Sequence, residues 1–208
     1  MSIYGIDSKR RRLEFLYKIA GAGTRGLATL GPNDKINVLG PLGVGFWLEE
    51  SWKNIVVVGR GVGLATLAPL ARMARERGIG ITAILSARRP DLVMSADVFA
   101  AEKAEVITVT DKQGTSGPSS VERILRGLIA ANKADAFFTC GSNRLMLLLQ
   151  RVAREHDLPG QVALEQQMAC GLGMCFCCVR DFNVDGAITH RRVCWDGPVF
   201  DIQEALSW

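Results

Sequence analysis

Histidine is nearly absent from this chain of 208 residues: there are two, His156 and His190. Neither belongs to a His/Asp/Glu constellation that offers a general base, so no residue is singled out as catalytic. Long apolar runs are missing too. No stretch approaches the roughly 20 residues that span a bilayer, which excludes a membrane-crossing helix. Charge is scarce as a signal: the formal net charge is +4. Its one basic cluster, Lys9 to Arg12, is flanked by Asp7 and Glu14 and has no aromatics interleaved. That pattern reads as a solvated hairpin tip and excludes a stacking nucleic-acid surface. There are no internal repeats, no low-complexity segment and no long linker. What remains is an ordinary globular composition, long enough for one large domain or two small ones.

Cysteine is the informative residue. Five of the six cysteines lie between positions 170 and 194, as Cys170-Gly-Leu-Gly-Met-Cys175-Phe-Cys-Cys178 followed by Cys194. The spacing C-x4-C-x2-C with a distant fourth cysteine is the plant-type pattern for a [2Fe–2S] cluster. Soft thiolates suit iron–sulfur and zinc alike, but zinc sites pair their cysteines as two short knuckles, and Cys194 has no such companion. Cys170, Cys175, Cys178 and Cys194 are therefore the expected ligands. Gly171 and Gly173 tolerate the positive φ angles that a wrap around a cluster demands. Inert core thiols and a zinc site are the competing readings. Cys177 is a spare, read as a small apolar side chain in preference to a reactive thiol. Free thiols without an export signal point to a reducing cytoplasm.

Along the chain, 12–19 reads as a strand, and Gly21 to Thr24 leads into a short helix. A glycine pair before Thr24 exposes N–H groups that suit a phosphate, with a plain strand-to-helix turn as the competing reading. Lys35 to Leu39 reads as another strand before a glycine-rich loop. Two or three strands cannot close a barrel, so this front portion looks like part of a larger β domain. Asn54 to Val58 is a continuous apolar run, as in a strand buried on both faces. It ends in Gly59-Arg-Gly61-Val-Gly63 and runs into a helix, the start of a dinucleotide-binding unit with G-x-G-x-G in place of the fuller fingerprint. Strands near 80–86, 105–109 and 136–140 alternate with helices, which predicts a parallel sheet covered on both faces. Strand ends bind ligands in such sheets, so Gly59 to Ala65 and Cys140 to Ser142 are expected to face one cleft.

Taken together, these residues resemble the iron–sulfur flavoprotein electron-transfer subunit of NAD-dependent dihydroorotate dehydrogenase, within the ferredoxin reductase superfamily. The resemblance runs nearly end to end. It is carried most specifically by Leu164-Glu165, Met168, the cysteine run and Cys194-x-Asp196-Gly197-Pro198-Val199-Phe200. It implies an α+β multidomain fold: part of an FAD-type antiparallel β-barrel (residues 1–50), an NAD-binding α/β domain with a parallel sheet (51–160), and a small [2Fe–2S] cysteine-loop domain (161–208). It also implies that Ser2, Leu16, Tyr17, Lys18, Gly23 and Thr24 hold FAD. Gly59, Gly61, Gly63, Cys140 and Gly141 would line the NAD(H) side. Electrons would pass between NAD(H), FAD and the cluster, and to or from a separate FMN-containing catalytic subunit, in a heterotetramer by resemblance.

The family's first barrel strands, and the Arg and Pro of its flavin motif, have no counterpart ahead of Ser2. The expectation is a barrel completed by another polypeptide or by a longer chain, with loss of FAD as a third reading. Arg88-Arg89 after the second sheet strand would favour NADP, but a solvated turn is the commoner meaning and NAD is retained. The alternatives in function are a reductase component serving a different partner and a flavin-less iron–sulfur scaffold or redox sensor.

Overall fold

The computed structural model describes residues 1–207. The chain opens with a hairpin of β1 (Ile3–Asp7) and β2 (Arg12–Phe15), antiparallel and two strands wide. Its tip, residues 8–11, is solvent-exposed, as the charge pattern predicts. β2 stops at Phe15 where the sequence suggested a strand to 19, and residues 35–39 form no strand. The physical reason is the want of a third strand. A lone hairpin has no second apolar face to bury, so further apolar residues gain nothing by extending it. A short helix α1 (Ala22–Leu27) follows, and no residue from 1 to 47 is buried.

From Leu48 onward the protein has a core. β3 (Asn54–Arg60), α2 (Gly63–Glu76), β4 (Gly80–Ala87), α3 (Ala96–Ala101) and β5 (Glu105–Thr110) come first. α4 (Pro118–Ala130), β6 (Ala136–Cys140), α5 (Asn143–Glu155) and β7 (Gly160–Ala163) complete the alternation. Strands β3 to β7 are mutually parallel. Side chains alternate across β3: Ile55 and Val57 pack with α2 and α3, Val56 and Val58 with α4 and α5. Phe138 anchors the first face and receives Phe46 and Trp52 edge-on, at 5.7 and 5.9 Å between ring centres.

The C-terminal portion does not stand apart. β8 (Val179–Val184) and β9 (Ala187–Arg192) form a hairpin through Asp185-Gly186, both at positive φ, the backbone of a tight two-residue turn. Phe182 of β8 is buried in the same core as α4 and α5 and lies 4.4 Å from the Phe200 ring. β10 (Val199–Asp201) then pairs antiparallel with β7, giving the order β10-β7-β6-β3-β4-β5. The expected boundary near 161 thus falls on a strand of the central sheet. β4 lies on one side of β3 and β6 on the other. That reversal opens a crevice at the C-terminal ends of β3 and β6.

Candidate functional site

The cysteine loop is wound by three left-handed residues: Gly171 (φ 68°), Gly173 (φ 75°) and Phe176 (φ 57°). A Cβ on Gly173 would also lie 3.0 Å from the Trp195 Cβ, so the position admits no side chain without a shift. The winding turns backbone N–H groups inward. Those of Cys175, Leu172 and Met174 converge on the Cys170 sulfur, Leu172 at 3.3 Å, and draw its thiol down to about 6. The thiols form two pairs. Cys175 hydrogen-bonds Cys170 through its side chain, and Cys178 does so with Cys194. The second pair is buried, and the Cys194 N–H donates to the Cys178 sulfur at 3.4 Å. Burial first, and the bond to Cys178 second, push the Cys194 thiol up.

Among the described residues no three Cys, His, Asp or Glu side chains converge as on a single ion. Mononuclear zinc needs four ligands around one centre. An all-thiol set with amides aimed at sulfur has the donor chemistry of an iron–sulfur cluster, which these residues would hold. All six cysteines are free; Cys177 is exposed and Cys140 buried.

A cleft of about 330 Å³ collects most of the expected flavin residues. Ser2, Leu16, Tyr17 and Lys18 form one wall, Val62, Ala65 and Thr66 from the start of α2 form the other, and Glu165 also lines it. A somewhat larger hollow of about 390 Å³, beside Glu49, Trp52 and Arg77, lies at the opposite end of the sheet and gathers none of them. Gly23 and Thr24 are not part of the lining. Thr24 instead accepts the N–H groups of Ala20 (2.9 Å) and Gly21 (3.1 Å), which shapes the turn carrying Ala20 into the cleft.

Thr66 and Glu165 were not singled out from sequence as ligand-facing. Thr66 hydrogen-bonds the Ser2 hydroxyl at 2.8 Å and also the Cys140 thiol, so one hydroxyl joins the flavin-side wall to the end of β6. Burial pushes the Cys140 thiol up to about 12; Thr66 opposes that and the Glu165 charge adds to it. Cys140 is a neutral thiol here. The signal for Thr66 was its place on the first turn after the glycine loop.

The glycines that follow β3 and β6 dovetail. A Cβ on Gly63 would sit 2.6 Å from the Cys140 carbonyl oxygen. Gly141 has φ 92°, and its Cβ would fall 2.5 Å from the Arg60 carbonyl oxygen. Gly61 adopts φ 58° with open space before it. No side chain caps α2, and its Leu64 and Ala65 N–H groups donate instead to the carbonyl oxygens of Gly61 (3.1 Å) and Val62 (2.9 Å). Beside them Arg60 forks onto Asp111 (3.2 and 2.6 Å) and reaches Ser86 at 2.8 Å. Arg60, then Ser116, hold the Asp111 carboxyl down to about 2.

The architecture has known counterparts. The structure of an NADH-dependent reduced ferredoxin-NADP oxidoreductase, solved for its flavin-based electron bifurcation, superposes with a TM-score of 0.81 at 29% identity. The match covers 97% of this chain and 71% of that one. The C-terminal domain of a Pyrococcus furiosus hydrogenase shares the fold alone, with a TM-score of 0.51 at 19% identity over 60% of this chain and all of that one. The fold is therefore of the ferredoxin reductase class, a mixed α/β protein built on a parallel sheet. Residues 165–206 match the iron–sulfur cluster binding domain of dihydroorotate dehydrogenase B. The dihydroorotate dehydrogenase B (NAD(+)) electron transfer subunit of Desulforamulus reducens is 30% identical over 96% of this chain and 76% of its own length. That of Bacillus cereus strain 03BB102 is 32% identical over 99% and 79%. The chain belongs to the family of dihydroorotate dehydrogenase B electron transfer subunits.

Proposed function

We propose that this chain moves electrons between NAD(H) and a [2Fe–2S] cluster by way of FAD, and exchanges them with an FMN-containing dihydroorotate dehydrogenase catalytic subunit. The carrying observation is adjacency. Glu165 lines the cleft and Cys170 is five residues on, a span of at most about 18 Å even if fully extended. Cys170, Cys175, Cys178 and Cys194 would hold the cluster. Ser2, Leu16, Tyr17 and Lys18 hold FAD at the cleft, while Gly23 and Thr24 act through the turn that shapes it. Gly59, Gly61, Gly63, Cys140 and Gly141 line the crevice where the dinucleotide would approach the backbone. Bound flavin supplies the conversion between paired electrons of nicotinamide and the single electrons a cluster takes.

The residues around these groups position and shield. Thr66 orients the Ser2 hydroxyl on one side and the Cys140 thiol on the other. The neutral Cys140 thiol adds no charge of its own at the end of β6. Leu172, Met174, Phe176 and Trp195 are exposed around the cysteine loop and give it an apolar rim, a face suited to a partner flavoprotein. His156 and His190 are exposed and paired with Arg126 and Asp181, which leaves the base for dihydroorotate chemistry to the partner. By function the chain divides into a flavin side (1–50), a nucleotide side (51–160) and a cluster side (161–208). The first is part of a barrel that further strands complete, the subunits form a heterotetramer, and the complex resides in the cytoplasm. Among the described residues no helix is long and apolar enough to cross a membrane.

The visible spectrum of the purified protein tests this. Flavin and cluster bands that bleach on adding NADH, and NADH formation from dihydroorotate once the FMN subunit is added, are the expected results. Bleaching without dihydroorotate turnover would reassign the chain to another partner. A cluster spectrum indifferent to NADH would leave a flavin-less scaffold.

A further inference from the structure

We propose that Arg192 is a positioning residue that locks the cysteine loop onto the turn bearing Cys194 and, by its fixed charge, sets how readily the cluster accepts an electron. The inference rests on the four-cysteine reading above. Three contacts run to one carboxylate: the Arg192 N–H and Nε donate to Asp196 Oδ2 at 2.8 and 3.1 Å, and Nη2 donates to Oδ1 at 3.0 Å. The remaining nitrogen, Nη1, crosses to the Gly173 carbonyl oxygen at 3.2 Å. The guanidinium carbon also lies 5.5 Å from the centre of the Phe176 ring. A single side chain therefore grips the loop on both sides of Cys175 and the turn on both sides of Cys194. Only a planar fork can saturate a carboxylate and still spare an N–H for a carbonyl. The neighbouring Arg191 faces elsewhere, onto Glu204 at 2.6 Å and the Phe182 ring at 5.3 Å.

Two consequences follow from different properties of the same group. The fork fixes loop to turn, so its loss frees the ligands to open. The positive charge favours the one-electron-reduced site, which carries one more negative charge than the oxidised site. Asp196 offsets part of that charge while holding the fork in place.

Anaerobic redox titration of the purified holoprotein, read by visible absorption and electron paramagnetic resonance, separates the two, with iron release to a chelator as the second readout. Arg192→Gln is expected to lower the reduced-to-oxidised ratio at a fixed applied potential by about tenfold. Arg192→Lys keeps the charge and is expected to stay within about threefold of the parent ratio. Both substitutions are expected to speed iron release, and Arg191→Gln is not. Asp196→Asn is expected to move the ratio upward, and carries the test should Arg192→Gln fail to retain iron. Equal shifts in the Lys and Gln variants, an unmoved ratio in Asp196→Asn, or iron release at the parent rate in both Arg192 variants would overturn the proposal. A parent protein without iron and sulfide would instead remove the four-cysteine reading beneath it.

Discussion

Residues 1–47 and the sheet that follows are built on different terms. In the first stretch no side chain is buried, and Leu30, Ile36, Val38 and Leu39 stand in water. In the second, β3 alone removes Ile55 to Val58 from solvent completely. Ordering a residue costs about 1–2 kcal/mol of backbone entropy, which apolar burial normally offsets. The front stretch has little of that offset, from Tyr4 and Phe46 half-buried against the sheet core, and is otherwise held from outside: Ser2 on Thr66, the Trp47 backbone on the buried Gln161 amide, and Val44 against Gly197 and Pro198. The cleft therefore has one wall anchored in a core and one wall that leans on it. A ligand that fills the cleft stabilises the leaning wall most.

Substitutions can sharpen that contrast. The largest effect belongs to the buried sulfur pair: Cys194→Ser and Cys178→Ser are expected to lose the cluster, while the exposed Cys177→Ser keeps it. Iron and sulfide analysis of the three decides, and equal loss in all would undo the ligand assignment. Next, Phe138→Ala in the sheet core is expected to lower stability by about 3–5 kcal/mol. Leu39→Ser in the front stretch should change it by less than about 0.5 kcal/mol, and denaturant titration of both would break the contrast if the losses matched. Third, Gly141→Ala meets positive φ and the Arg60 carbonyl together, and is expected to cost about 1–3 kcal/mol and to abolish dinucleotide binding. Gly21→Ala, with nothing within 4 Å of the new methyl group, should do neither.

The smallest effect is a pH dependence. The Asp111 carboxyl is depressed to about 2 from an ordinary 3.8 by Arg60 and Ser116. Its stabilising contribution is full above the ordinary value and fades as pH falls from there through about 2. Asp111→Asn should flatten the acid limb of stability in that window alone. An unchanged acid limb would show that the Arg60 fork adds nothing to the sheet.

What the sequence disclosed follows the same divide. β3, β4, β5 and β6 were legible almost to the residue, β3 and β6 because a strand covered on both faces is apolar nearly throughout, and the edge strand β5 from its β-branched run of Val106, Ile107, Thr108 and Val109. The C-terminal cysteine run was legible as an iron–sulfur signature from its spacing, and residues 165–206 match an iron–sulfur cluster binding domain. The antiparallel closure of β10 on β7 was not anticipated, since a three-residue edge strand carries no periodicity of its own. Nor was the hairpin of β8 and β9, where polar residues outnumber the single buried Phe182, although Asp185-Gly186 is a strong turn signal. The strand suggested at 35–39 had the composition but no neighbour to pair with. Thr66 escaped notice because its role depends on two residues, Ser2 and Cys140, that lie far from it in the chain.

The cysteine loop leaves the sheet at the end of β7 and returns at the start of β10, which are adjacent strands, and Leu164 N–H to Pro198 carbonyl at 2.9 Å closes its neck. Both feet of the loop stand on the plate that also carries the nucleotide crevice. The separation from crevice to sulfur is thereby tied to the packing of the central sheet at both ends of the loop. Strain at either foot is then shared by the sulfur loop and the crevice, because one sheet carries both.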